Sequence, residues 1–133
     1  MSDYSVNDLR KAYKSIGLEK GRTIYLTGNF GSIGQLGSAN KSELLSTHFS
    51  VITDLIGYSG TLVVPTHTWS LCNTNNPFDL EKTPSESGVF TEFVRRQNES
   101  VRQIHPFSSS TAYGANARVI CTKNSRHVYG PES

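Results

Sequence analysis

The sequence predicts an α/β fold, and three observations carry that reading. Residues 23–27 (Thr-Ile-Tyr-Leu-Thr) and 61–65 (Thr-Leu-Val-Val-Pro) are short β-branched runs of the kind that form buried strands. Between them Leu44, Leu45, Phe49, Ile52, Leu55 and Ile56 recur on one face of a 3.6-residue repeat, which is an amphipathic helix. A single helix joining two strands makes a βαβ unit, so the two strands are expected to run parallel in one sheet.

The remaining elements follow in chain order. Ser5-Val6-Asn7-Asp8 is a capping-box pattern with Asp in place of Glu, and Val6, Leu9, Tyr13 and Ile16 continue it at helical spacing up to Gly17. Glu19-Lys20-Gly21 reads as a turn before the first strand. Residues 28–39 form a loop holding Gly28, Gly31, Gly34 and Gly37. Asn40 or Ser42 caps the central helix, which runs to about Ile56 and stops at Gly57. Residues 67–87 read as a long polar loop. Residues 88–96 read as a helix with Val89, Phe90, Phe93 and Val94 inward and Glu92, Arg95 and Arg96 outward. Residues 101–105 and 109–113 have the look of short strands, and residues 115–121 of a brief helix.

Composition narrows the function classes. The 133 residues suffice for one domain, with 35% apolar and 18% charged content, which is ordinary for a globular protein. A net charge of +2 with no basic cluster beyond Arg95-Arg96 gives no footprint for nucleic acid or a membrane surface. No apolar run approaches the ~18 residues of a membrane span, and Met1 to Asn7 lacks a signal peptide's apolar segment. A cytoplasmic protein is the expectation. Cys72 and Cys121 make no C-x-x-C and no disulfide framework, so free thiols are expected over a single bridge.

Three segments have the residue types for ligand chemistry. The first is Thr27-Gly28-Asn29-Phe30-Gly31-Ser32-Ile33-Gly34, which follows a strand and precedes a helix. Glycines let a backbone approach a ligand closely, and a helix N-terminus offers amides to a phosphate. These glycines do not form G-x-G-x-x-G or a P-loop, so a plain flexible connection is the alternative. The second is Arg102 with His105-Pro106 and Ser108-Ser109-Ser110. It offers a cationic fork, small donors, and an imidazole read as structural or cofactor-positioning rather than as a base. The third is the long loop with His67, Trp69, Cys72, Asn73, Asn75, Asn76 and Asp79. Its amides and its one indole suit a hydroxylated, cationic ligand. Its competing reading is that Phe78 and Asp79 simply anchor and turn the loop. Metal binding is not expected, because His67 and Cys72 lie five apart on a loop with no second pair at ligand spacing. No G-x-S-x-G elbow marks a serine hydrolase, and nothing in the sequence lowers the pKa of Cys121 toward a dyad with His127. Tyr4, Tyr13, Tyr58 and Tyr113 are scattered and read as core or surface fill.

Taken together, Gly60-Thr61-Leu62-Val63-Val64-Pro65-Thr66, Pro77-Phe78-Asp79, Thr83-Pro84-Ser85, Gly88, Glu92-Phe93, Arg95 and Ile104-His105-Pro106, with Ser108 to Gly114 behind them, occur in an order that resembles the aminoglycoside 3-N-acetyltransferase family. The likeness runs from Leu9 to Ser133. It implies a three-layer α/β/α domain with a mixed central sheet, incomplete at the C-terminus. It also implies transfer of an acyl group from acetyl-CoA to the amine of an amino sugar or aminoglycoside. Both substrates would bind together and no acyl-enzyme would form. On this resemblance Asn29, Phe30, Gly31, Ser32, Ile33, Arg102, His105, Ser108 and Ser109 are expected to bind acetyl-CoA, and His67, Trp69, Asn73 and Asp79 the sugar.

Thr27 and Gly28 stand where the family commonly has His and Ser. Ser70-Leu71-Cys72-Asn73 is similar to members of surface-polysaccharide and sugar biosynthesis rather than to antibiotic-modifying members. Gly130-Pro131-Glu132-Ser133 resembles the start of a motif beyond which the family's catalytic base lies. Residues 1–133 are therefore expected to be the N-terminal part of one acyltransferase domain, inactive alone, with no catalytic residue of their own and with a homodimer compatible with a full-length chain. The reading from another class is a non-catalytic coenzyme A or sugar-binding module.

Overall fold

The computed structural model describes residues 3–30, 34–37 and 39–122. Their elements are β1 (Asp3–Tyr4), α1 (Val6–Ser15), β2 (Thr23–Tyr25), β3 (Gln35–Leu36), α2 (Lys41–Ile56), β4 (Thr61–Pro65), a 3-10 turn (Trp69–Leu71), α3 (Val89–Arg95), β5 (Val101–Arg102), β6 (Ser110–Gly114) and α4 (Ala117–Cys121). The caps are those the sequence encodes. The Ser5 hydroxyl accepts the Asp8 N–H while the Asp8 carboxylate accepts the Ser5 N–H. Of the two candidates for α2, Asn40 is the cap, its Oδ1 accepting the Glu43 N–H at 2.9 Å. Such a cap contributes ~1 kcal/mol.

The four-stranded sheet has the order β2-β4-β6-β5. β2 and β4 are parallel across α2, as the βαβ unit requires, while β6 lies antiparallel to both β4 and β5. A two-stranded parallel pair, β1 with β3, sits apart from it. The sheet is therefore mixed, and it separates two apolar layers. Leu62 and Val64 point to the side where Leu9 of α1, Leu45, Ile52 and Ile56 of α2, and Phe90 and Val94 of α3 form the main core. Val63 points the other way, onto Ala112 of β6 and Ala117 and Cys121 of α4. The alternation along one strand builds the three α/β/α layers. Each fully buried side chain of the Ile52 kind stabilises by roughly 1.5–3 kcal/mol.

Several expectations need revision. β2 is not buried. It is an edge strand of three residues with Tyr25 59% exposed, because among the described residues β4 is its only neighbour in the sheet. α1 ends at Ser15, which leaves Ile16 as an exposed cap residue. In α3 Val89 is exposed, while the Arg95 side chain is buried against Glu92. At the base of the sheet Gly60 and Gly114 cross in contact. A Cβ on Gly114 would lie 2.2 Å from the Gly60 carbonyl oxygen, and Gly114 holds φ +128°.

Candidate functional site

Three loops leave the sheet at one end. β2 and β4 run parallel, so the segments after Tyr25 and Pro65 emerge together, and β6 begins at that same end because Pro65 pairs with Ser110. The carboxyl ends of parallel strands are the usual place for ligands in open α/β sheets. The pairing continues past the strand ends. Thr66 N–H donates to the Ser109 carbonyl at 2.9 Å and Thr68 N–H to the Phe107 carbonyl at 2.8 Å. The His67–Trp69 and His105–Ser109 segments are thereby zipped together, and all three sequence-predicted segments share one rim.

On the first loop, Gly31, Ser32 and Ile33 lie outside the described residues, and Asn29 is exposed. Phe30 is half-buried. It stacks on Phe90 at 4.3 Å between centroids, 7° from parallel, and meets His48 edge-on at 4.9 Å. Its ring anchors the glycine loop to the core. Gly88, ahead of α3, faces the Gly28 carbonyl, so the first loop and the long loop meet there.

On the long loop, His67 is tied through its backbone, with its N–H on Ser87 Oγ at 3.0 Å and its carbonyl accepting Glu86 N–H at 2.9 Å. Its ring lies 5.3 Å from that of Trp69. Burial, and then the nearby His105, hold the His67 pKa below the ordinary imidazole value. Trp69 is 45% exposed and Asn73 is exposed with φ 60°. Asp79 caps a turn. Its Oδ1 accepts the N–H groups of Glu81 and Lys82, both at 2.9 Å, which keeps the carboxyl below the usual range.

On the third segment Arg102 faces inward and is buried. It donates through Nε to Ser109 Oγ at 3.1 Å, through one terminal nitrogen to the Thr66 carbonyl at 3.0 Å, and through the other to the Thr83 carbonyl. Its guanidinium also sits over the Phe78 ring at 4.8 Å. Burial brings its pKa down to about 10. Ser109 is fully buried, its hydroxyl donating to the Thr66 carbonyl at 2.8 Å. Both side chains hold the rim together from within. His105 and Ser108 are half-buried on the rim, and His105 Nδ1 accepts the Ser108 N–H at 2.9 Å.

Two features escape sequence reasoning. The first is His48, 2% exposed, with Nε2 on the Tyr4 hydroxyl at 2.9 Å and Nδ1 on the Tyr13 hydroxyl at 2.8 Å. Burial lowers its pKa to about 4 and raises that of Tyr13 to about 12. Its place on the apolar stripe of α2, between Leu45 and Ile52, is the signal that marks it. The second is the latch on the long loop. Arg95 grips Glu92 through two nitrogens at 2.5 and 2.7 Å and donates to the Glu81 carbonyl at 2.6 Å, while Glu92 also accepts the Ser85 N–H at 3.0 Å. A cleft of about 910 Å3 opens beside this latch, between Lys41 and Ser42 of α2, Glu86, Gly88, Glu92 of α3 and its cap residue Arg96. Among the described residues, none of the predicted site residues lines it. Among the described residues no group of three His, Cys, Asp or Glu is placed to hold a metal ion, and no helix is long and apolar enough to cross a membrane.

Solved structures share this fold. The chain is similar to the YokD protein of Bacillus subtilis, with 20% identity and a TM-score of 0.75 over 88% of this chain and 53% of that one. It is similar to AAC-VIa with bound sisomicin, with 18% identity and a TM-score of 0.81 over 99% of this chain and 54% of that one. It is similar also to AAC-IIIb in a binary complex with CoASH, with 20% identity and a TM-score of 0.71 over 90% of this chain and 49% of that one. The chain spans about half the length of these solved relatives. No curated protein matches the sequence. The family model for aminoglycoside 3-N-acetyltransferase matches residues 31–133, which is most of the chain and takes in the long loop and the His105 segment, so the chain belongs to that family.

Proposed function

We propose that this chain forms the N-terminal part of a coenzyme A-dependent N-acyltransferase that carries an acetyl group from acetyl-CoA to the amine of an amino sugar or aminoglycoside. The observation that carries the reading is the convergence of the Phe30, His67–Asn73 and His105–Ser108 segments at one end of the sheet, in a chain of this family. In the reaction the amine nitrogen attacks the thioester carbonyl carbon, the carbon–sulfur bond breaks, and the amine's proton leaves with a base while the coenzyme A thiol is released. The described residues serve as the binding rim. Half-buried Ser108 offers a hydrogen bond to the pantetheine arm, and exposed Asn29 belongs to the glycine loop on the same rim. Trp69 offers an indole face to a sugar ring or its ammonium, and Asn73 an amide to its hydroxyls. Arg102 and Ser109 act one layer further in, where their polar groups are engaged with the chain itself and shape the rim, while exposed Asp79 turns the long loop through its Oδ1 and leaves its carboxylate toward solvent. The Ser70 to Asn73 stretch favours a biosynthetic amino sugar over an antibiotic.

The reading is tested by calorimetry. Titrating acetyl-CoA into the purified protein should release heat with one-site saturation, and Trp69→Ala should weaken binding of an aminoglycoside probe such as apramycin or sisomicin by about 5–30-fold, from a contact of roughly 1–2 kcal/mol. A folded protein that binds acetyl-CoA while Trp69→Ala leaves aminoglycoside binding unchanged would remove the sugar assignment. A folded protein that binds neither ligand would remove the transferase reading.

A further inference from the structure

Trp69 is the only tryptophan of the chain. Its indole is 45% exposed, and among the described residues its ring contact is the edge of His67 at 5.3 Å. What fixes the indole is therefore the backbone that carries it. Trp69 opens the 3-10 turn Trp69–Leu71, whose first amides need acceptors from outside the turn. Thr68 stands at the capping position, but its hydroxyl donates to the Pro106 carbonyl and caps nothing. The acceptor comes instead from the far arm of the long loop. Glu86 Oε1 accepts the Ser70 N–H at 3.1 Å, and Oε2 accepts the Ser70 hydroxyl. The Glu86 N–H donates to the His67 carbonyl at 2.9 Å. One residue thus bonds the chain on both sides of Trp69.

We infer that Glu86 is a positioning residue that holds the Trp69 indole ready for ligand, acting through Ser70 and His67. Its value for binding rests on the reading of Trp69 as the sugar platform. A carboxylate is acceptor-only, so its two oxygens take both donors of Ser70 at once, and the charge strengthens each bond. Thr68 N–H on the Phe107 carbonyl at 2.8 Å ties the segment to the sheet just before the turn. Glu86 adds the restraint just after Trp69, where the turn leaves that pairing. Glu86 is itself steadied from both sides. Ser87 Oγ accepts the His67 N–H at 3.0 Å, and Ser85 N–H donates to Glu92 of α3 at 3.0 Å. The Glu86 side chain is exposed, so its bonds compete with water and add little to global stability. Their effect is local. An indole ordered before ligand arrives need not be ordered by it, and that ordering otherwise weakens binding.

The single indole reports on its own restraint. Time-resolved fluorescence anisotropy of the wild type should decay with overall tumbling, whereas Glu86→Ala should add a fast local component and raise quenching by acrylamide. Glu86→Gln, which keeps one acceptor oxygen, should fall between the two. Calorimetry with apramycin as the probe then tests the link to ligand. Glu86→Ala should weaken binding about 2–10-fold, the effect of immobilising one side chain on binding. Adding Glu86→Ala to Trp69→Ala should weaken it no further, because a residue that acts through the indole has nothing left to act on. A urea midpoint near that of the wild type shows that Glu86→Ala is folded, and Ser70→Ala, which removes one of the bonds, gives the same reading where it is not. An indole that decays in the folded variants as it does in the wild type overturns the inference. A double variant weaker than Trp69→Ala by the full factor of Glu86→Ala also overturns it, since Glu86 is then a separate contact. If Trp69→Ala leaves apramycin binding unchanged, the sugar reading falls, and the anisotropy decays alone uphold or overturn the clamp.

Discussion

Lowering the pH should unfasten the N-terminal layer through His48. The ring is 2% exposed and hydrogen-bonds the hydroxyls of Tyr4 and Tyr13, with Phe30 against its face. In the neutral ring one phenol donates to the ring's lone pair and the other accepts from its N–H. Protonation would oblige both phenols to accept and would bury a cation beside two neutral partners. Burial accordingly depresses the folded-state pKa from 6.5 to about 4. The unfolded chain then binds the proton more readily, so the contribution is intact above about pH 6.5 and is lost as pH falls toward 4. A shift of this size corresponds to roughly 3 kcal/mol, of which about 2 should be gone by pH 4.5. That is a large part of a small domain's stability.

Carboxylates such as Asp54 and Glu92, also held below their usual range, weaken in acid too, so a variant is needed to isolate the histidine. Urea unfolding of the wild type and of His48→Gln at pH 7 and pH 4.5 gives four free energies. The wild type should lose about 2 kcal/mol more than the variant between the two pH values. Equal losses would refute the argument and place His48 in contact with water or with a compensating charge.

The remaining expectations concern packing and reactivity. Gly114→Ala should destabilise by about 3 kcal/mol or more, because its Cβ would meet the Gly60 carbonyl oxygen at 2.2 Å, whereas Gly17→Ala, with open space around it, should cost only about 1 kcal/mol for its positive φ; urea midpoints separate the two. Arg102→Ala should cost roughly 2–4 kcal/mol, since it removes three donated hydrogen bonds and takes from the Thr83 carbonyl the guanidinium that ties the 78–86 loop to the sheet, and should quicken proteolysis within residues 78–86, as limited digestion would show. Buried Cys121, its thiol pushed up to about 11, should react with a disulfide reagent at pH 8 at least tenfold more slowly than half-buried Cys72, by timed labelling of the native protein.

Local chemistry in the sequence determined the helices and their caps. Ser5 with Asp8, Asn40 before α2, and Gly57 after it are written within three or four residues of the groups they bond, so no distant contact is needed to read them. The parallel β2–β4 pair was equally legible, because one helix between two strands leaves few ways to return to the sheet. The ordered residues from Gly60 to Gly114 likewise identified the family.

Tertiary structure alone decided which side of each element meets protein. β2 has the composition of a buried strand but, among the described residues, only one neighbour, because β6 pairs with β4 on the other side. Arg95 and Arg102 look like surface cations in sequence. They are buried because the returning 78–86 loop supplies the Glu81 and Thr83 carbonyls to receive them. Tyr4 and Tyr13, which read as scattered fill, Phe30, which reads as a loop residue, and His48 become one cluster only when α1 docks on α2. Alternation and capping are short-range and survive in one dimension. Burial of a polar group depends on partners tens of residues away, and only the folded chain brings those partners together.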